Sequence, residues 1–119
     1  MPIVNMAYKS ETVPKDRVQH IASLLRNAVA QFITEADPDF GFSATEVTIN
    51  CNRRGEYDLC EKDISIVILA NYSEERFKKL DETAKKISEA VSDAVKVTGI
   101  TNYVYLRLTE AGYHESVCP

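Results

Sequence analysis

Apolar residues recur along this chain with two periods, and the periods alternate. Residues 3–8 form a short apolar run in which Asn5 fits one face, and they predict a strand. The polar stretch Lys9, Ser10, Glu11, Thr12 turns the chain, and Pro14 falls where the first turn of a helix tolerates a missing N–H. Val18, Ile21, Ala22, Leu25, Ala28, Val29, Phe32 and Ile33 then follow the i, i+3, i+4, i+7 spacing of one helix face, which predicts a helix over 14–34. Asp37, Pro38, Asp39 and Gly41 break it. Strict alternation returns over 45–52, with Val47, Ile49 and Cys51 on one face and Glu46, Thr48 and Asn50 on the other.

The second half repeats this plan with different residues. After a polar loop containing Arg53, Arg54 and Gly55, residues 64–70 are the most apolar segment and predict a central strand. Ser73 is the expected N-cap of a second helix, with Glu74 and Glu75 in its first turn. Its stripe is Phe77, Leu80, Ala84, Ile87, Val91, Ala94 and Val95, and Gly99 stands at the expected C-terminal stop. Residues 103–108 predict the last strand, with Val104, Leu106 and Leu108 on one face and Tyr103, Tyr105 and Arg107 on the other. A polar tail follows.

The expected architecture is α/β (α+β): one domain over 1–119, two consecutive β-α-β units, and a four-stranded mixed sheet with two helices on one face. Each crossover should be right-handed. Periodicity leaves strand order open, since a ferredoxin-like arrangement with the second and third strands as a hairpin has the same elements. A sheet covered on one side leaves Thr48, Asn50, Tyr103, Tyr105 and Arg107 on an open face, which points to a homo-oligomer.

Composition narrows the partners. Fourteen basic against eighteen acidic residues give a net charge of −4, and the cations are dispersed, so a nucleic-acid partner is not expected. No apolar run approaches a membrane span, and no secretory leader is recognisable, so a cytoplasmic protein is expected. Cys51, Cys60 and Cys118 are odd in number and lack CxxC spacing, which predicts free thiols and no metal site. His20 and His114 have no ligand partner at i+4, and Lys78, Lys79, Lys85 and Lys86 suit the solvated face of the second helix.

Pro2 directly after Met1, the Pro2-Ile3-Val4 strand opening, the approach Ser10-Glu11-Thr12-Val13-Pro14 to the first helix, and Asn102 through Leu108 together resemble the tautomerase superfamily. The length resembles its fused-repeat members, such as 5-carboxymethyl-2-hydroxymuconate isomerase and macrophage migration inhibitory factor. The resemblance implies a homotrimer with sites at subunit edges and a cofactor-independent keto–enol tautomerase or isomerase. Its base would be the secondary amine of Pro2, freed by removal of Met1; a retained Met1 would leave an amide with no basicity. Short tautomerases carry one arginine just after the first strand and another within the second, where this chain has Lys9 and Thr48.

The chemistry asked of these residues is plain. An amine in an apolar pocket beside a cation is disfavoured as ammonium, so it can move a proton between carbons of a small enol or keto carboxylic acid. Lys9, Arg53 and Arg54 are the expected holders of the substrate carboxylate, with Arg76 and Arg107 as further sources of a guanidinium. Tyr103 is the expected hydrogen-bond donor to a developing enolate, with Asn102 beside it; interface packing is the other use for Tyr103. Two alternatives stay open: a related dehalogenase or decarboxylase with a water-activating carboxylate, for which Glu110 is one source, and a non-catalytic oligomeric binding or structural module.

Overall fold

The computed structural model describes residues 2–119; Met1, on whose removal the chemistry of Pro2 turns, lies outside the described residues. The elements run β1 (Ile3–Tyr8), α1 (Lys15–Ala36), β2 (Thr48–Arg53), β3 (Ile64–Asn71), α2 (Glu74–Lys78), α3 (Leu80–Val95) and β4 (Asn102–Thr109). Strand order is β2-β1-β3-β4. Within each half the two strands are parallel, and the halves meet through an antiparallel β1–β3 pair whose register sets Ile3 against Leu69 and Tyr8 against Ile64. β2 and β3 are therefore not a hairpin. This is the mixed sheet of two β-α-β units.

Alternation sorts the sheet into a dry and an open face. Val4, Met6, Ile64, Ile66 and Ile68 are fully buried beneath Ile21, Leu25, Val29 and Ile33 of α1 and Ile87 and Val91 of α3. Asn5, Thr48, Asn50, Tyr105 and Arg107 face outward, and Asn50 donates to Asn5 across the strands at 3.1 Å. Ion pairs such as Lys86–Glu82 occupy the solvated side of α3.

Four local expectations are corrected. Pro14 is the N-cap residue of α1, not part of its first turn, because its extended backbone (ψ 139°) precedes the helix. β2 begins three residues later than alternation suggests, because residues 44–46 form a 3₁₀ turn held by Arg26, which donates to the carbonyls of Val47 and Thr45, both at 3.0 Å. The stop of α3 is Lys96, in the left-handed region at φ 55°, and Gly99 turns the chain afterwards at φ 88°. Most consequentially, the second helix is broken at Lys79. Phe77, expected in the apolar stripe, is 58 % exposed, and Arg76 is buried instead.

Candidate active site

Pro2 immediately precedes β1 and is buried; its carbonyl accepts the Thr48 N–H at 3.1 Å, which fixes it between β2 and β3 at one end of the sheet. Because β1 runs antiparallel to β3, that end also receives the exit of β3 and the start of α2. A cavity of about 760 Å³ opens there. Pro2, Ala70, Phe40, Phe42 and Tyr72 line it with apolar surface, and Arg76, Asp39 and Glu46 with charge.

Arg76 reaches the cavity because Ser73 caps α2, its Oγ accepting the Arg76 N–H at 3.1 Å. Arg76 Nη1 donates to the Asn71 carbonyl at 2.9 Å and Nη2 to the Phe40 carbonyl, while the buried Nε has no acceptor among the described residues. The guanidinium carbon lies 5.7 Å from the centre of the Phe42 ring. Burial lowers the pKa of Arg76 and the charge of nearby Asp37 opposes that shift; arginine remains charged either way. Both groups are buried: Arg76 is 6 % exposed and Asp37 5 %.

The loop carrying Phe40 and Phe42 is held close to α1. Thr34 Oγ1 donates to the Phe42 carbonyl at 3.2 Å and accepts its N–H at 3.1 Å. Gly41 makes that approach possible, since a Cβ there would stand 2.5 Å from Thr34 Cγ2.

The other expected site residues lie at the far end of the sheet. Lys9, Arg53 and Arg54 do come together, lining a cleft of about 450 Å³ with Glu56 and Asp58. Arg53 pairs in register with Tyr8, six residues along from Pro2, or roughly 20 Å at strand rise. Arg54 is engaged structurally: its side chain donates to the Lys62 carbonyl and, at 2.8 Å, to Ser65 Oγ. Tyr103 is on the open face, 40 % exposed, opposite Ser65. Asn102 has the opposite parity; its amide donates to Ser92 Oγ and accepts from Ser88 Oγ, both at 2.8 Å, tying β4 to α3. Tyr103 and Asn102 therefore do not face one substrate together.

At this same end Asp63 precedes β3 as Pro2 precedes β1. Its carboxylate accepts from Thr12 Oγ1 at 2.9 Å and from the Thr101 N–H and Oγ1 at 2.9 and 3.0 Å. Those bonds, the Thr101 N–H foremost, hold its carboxyl below the ordinary carboxylate value.

Sequence reasoning left Arg76 as one arginine among several and did not single out Asp39, Phe40, Phe42, Glu46 or Tyr72. The one available signal was Phe40-Gly41-Phe42, two aromatics flanking a glycine in a polar loop. Among the described residues no group of three or more His, Cys, Asp or Glu side chains is placed to hold a metal ion, and no helix is long and apolar enough to cross a membrane.

No protein-family model matches the sequence, and no curated protein matches it. Solved structures do match in fold. N1, a member of the cis-3-chloroacrylic acid dehalogenase family, superposes with a TM-score of 0.70 at 12 % identity, over 98 % of this chain and 83 % of that one. A fused 4-OT wild-type symmetric trimer gives 0.63 at 15 % identity, over 91 % and 85 %. The macrophage migration inhibitory factor-like protein of Entamoeba histolytica gives 0.60 at 10 %, over 97 % and 95 %. The chain has the fold of the tautomerase superfamily.

Proposed function

We propose that this chain, which carries the tautomerase-superfamily fold, is a cofactor-independent tautomerase or isomerase that moves a proton in a small enol or keto carboxylic acid, with Pro2 as base. The observation that supports this reading is the cavity lined by both Pro2 and the buried Arg76. With Met1 removed, the Pro2 nitrogen is a secondary amine. Apolar walls and the neighbouring guanidinium disfavour its ammonium form, against the opposing pull of Asp39 and Glu46 in the same cavity. Arg76 has five N–H donors and gives two to backbone carbonyls, so it retains donors for the substrate carboxylate and the enolate charge that grows beside it.

Lys9, Arg53, Arg54 and Tyr103 reach a substrate at Pro2 only if another copy of the chain presents its far sheet end to this cavity. We place them in that role, in a homotrimer built on the open sheet face and strand edges. Asn102, held between Ser88 and Ser92, supports β4.

The test begins with the mass of the protein purified from cells. Removal of Met1 is expected. The processed protein should then ketonise phenylpyruvate or 2-hydroxymuconate, and Pro2→Ala should lower turnover by about 10²–10⁴-fold without changing the fold. Quantitative retention of Met1, or unchanged turnover in Pro2→Ala, rules out the proline base.

A second reading has its own observation. Asp39 and Glu46 line the same cavity, so a carboxylate stands where it can activate water, as hydrolytic dehalogenation or hydration requires. Halide release from a 3-haloacrylate, lost in Glu46→Gln and kept in Asp39→Asn or the reverse, would select this reading.

A further inference from the structure

Alternation over residues 45–52 puts Glu46 on the face of Thr48 and Asn50, which is the open face of the sheet. The fold does not leave it there. Residues 44–46 form a 3₁₀ turn, and Glu46 lines the Pro2 cavity. Such turns are short and have poor hydrogen-bond geometry. The bonds within this one run from the Glu46 N–H to the Ser43 carbonyl and from the Val47 N–H to the Ala44 carbonyl, both at 3.1 Å, with a 2.8 Å bond between the Ser43 and Thr45 hydroxyls. The carbonyls of Thr45 and Val47, on either side of Glu46, are both taken by Arg26 of α1, which donates from Nη2 and Nε at 3.0 Å each. One planar guanidinium therefore brackets Glu46 from outside the cavity.

We infer that Arg26 is a positioning residue for the Pro2 site: by fixing this turn it keeps Glu46 off the open face and holds its carboxylate beside Pro2. A carboxylate there favours the ammonium that forms when Pro2 takes a proton, and so strengthens the base. Without Arg26 the strand itself remains, because Val47 is buried in the core and the Thr48 N–H bonds the Pro2 carbonyl. Only the turn before it is freed to continue the alternation. Asp39, Tyr72 and Arg76 also line the cavity, and the proposed homotrimer adds Lys9, Arg53 and Arg54 of another copy. These groups are common to the parent protein and to every variant of Arg26 and Glu46, so the difference between variants reads the place of Glu46. The inference rests on the reading of Pro2 as base and names a residue on which that base depends.

The test is an NMR titration of the Pro2 nitrogen in the full chain, processed to Pro2 and labelled with heavy-nitrogen proline. In Arg26→Ala the amine should titrate about half a pH unit or more below the parent. The acid limb of kcat/KM should move with it. Loss of a cation alone would move the amine upward, so the sign separates position from charge. Glu46→Gln should also lower it, and the Arg26→Ala/Glu46→Gln double variant should match Glu46→Gln, since both changes take away the same carboxylate. Arg26→Lys keeps the charge without the fork and should lie between the parent and Arg26→Ala. An amine that titrates at the parent value or above it in Arg26→Ala overturns the inference, as do effects that add in the double variant. Either result leaves the proline base standing where Pro2→Ala is inactive. Unchanged turnover in Pro2→Ala, with the fall and the match both seen, overturns the base and leaves Arg26 as the residue that places Glu46. Quantitative retention of Met1 overturns both.

Discussion

At one end of the sheet Pro2 precedes β1, and the link from β3 into α2 returns beside it. At the other end Asp63 precedes β3, and the link from β1 into α1 returns beside it. The antiparallel β1–β3 pair makes these two places equivalent in layout: a strand entrance, a strand-to-helix link, and the neighbouring edge strand. What occupies them differs. At the Asp63 end a carboxylate bonds Thr12 in the link and Thr101 before β4, so the corner is filled by a polar latch. At the Pro2 end, among the described residues, no side chain bonds the entrance residue itself. Arg76 is drawn inward to the Phe40 and Asn71 carbonyls, and a cavity remains. The same backbone plan thus gives a structural corner where the entrance residue is a hydrogen-bond acceptor, and an open one where it is proline.

The comparison breaks most visibly at Arg76. Arg76→Ala removes the donors to two backbone carbonyls and leaves Asp37 buried with no nearby guanidinium. A loss of about 2–4 kcal/mol is expected in urea unfolding. Arg76→Lys keeps the charge without the planar fork, so it should recover part of the stability but little of the affinity for a substrate carboxylate. Equal stability of Arg76→Ala and the parent protein would show that the open end does not depend on this guanidinium.

Gly41→Ala tests the same end from its outer wall. The added Cβ meets Thr34 Cγ2 at 2.5 Å, and Thr34 cannot swing away without losing its two bonds to Phe42. The loop must shift instead. About 1–3 kcal/mol of destabilisation is expected, along with a weaker affinity for phenylpyruvate in the proposed reaction, because Phe40 and Phe42 move with the loop. Destabilisation with unchanged affinity would remove these rings from the ligand's path.

Much of this contrast could not be read from the chain. β1 matches its expected bounds, β3 extends one residue beyond its expected end and β4 one residue beyond each of its ends, because alternation over a one-sided sheet is a local signal. The buried Arg76 is not local. Phe77 and Leu80 continue an i, i+3 stripe across Lys79, so periodicity favours one unbroken helix. The break is tied to distant acceptors: the Phe40 carbonyl for Arg76, and the Ala36 carbonyl, 3.3 Å from the donating Lys79 Nζ. The fold brings Lys9, Arg53 and Arg54 to one cleft, since all three adjoin the ends of paired strands. Their distance from Pro2 follows from strand direction, which amphipathic pattern does not encode.

At the closed end, Asp63→Asn keeps the size of the latch while removing its charge and one acceptor. A loss of about 1 kcal/mol is expected at neutral pH, discounted for solvent access. The sign of the pH effect follows from the lowered carboxyl value. The unfolded chain takes up the proton first as pH falls, so the latch contributes fully above about pH 4. That contribution fades as pH drops through the lower folded value. Stability curves of the parent and Asp63→Asn should therefore converge in acid. Curves that stay parallel below pH 4 would mean that the carboxylate is not what closes this corner.

The smallest effect separates the two donors of the latch. Thr12→Val removes the hydroxyl that bonds Asp63 Oδ1 and keeps the branched shape, whereas the Thr101 bonds to Oδ2 remain. Thr12 is exposed, so water replaces the lost donor, and about 0.5 kcal/mol is expected. The backbone N–H of Thr101 contributes most to lowering the carboxyl value, so the acid-side convergence should persist in Thr12→Val with only a slight shift. If Thr12→Val instead abolishes it, the latch depends on the β1–α1 link more than on the entrance to β4. The closed corner would then be held from the element that corresponds, at the open end, to the β3–α2 link beside Pro2.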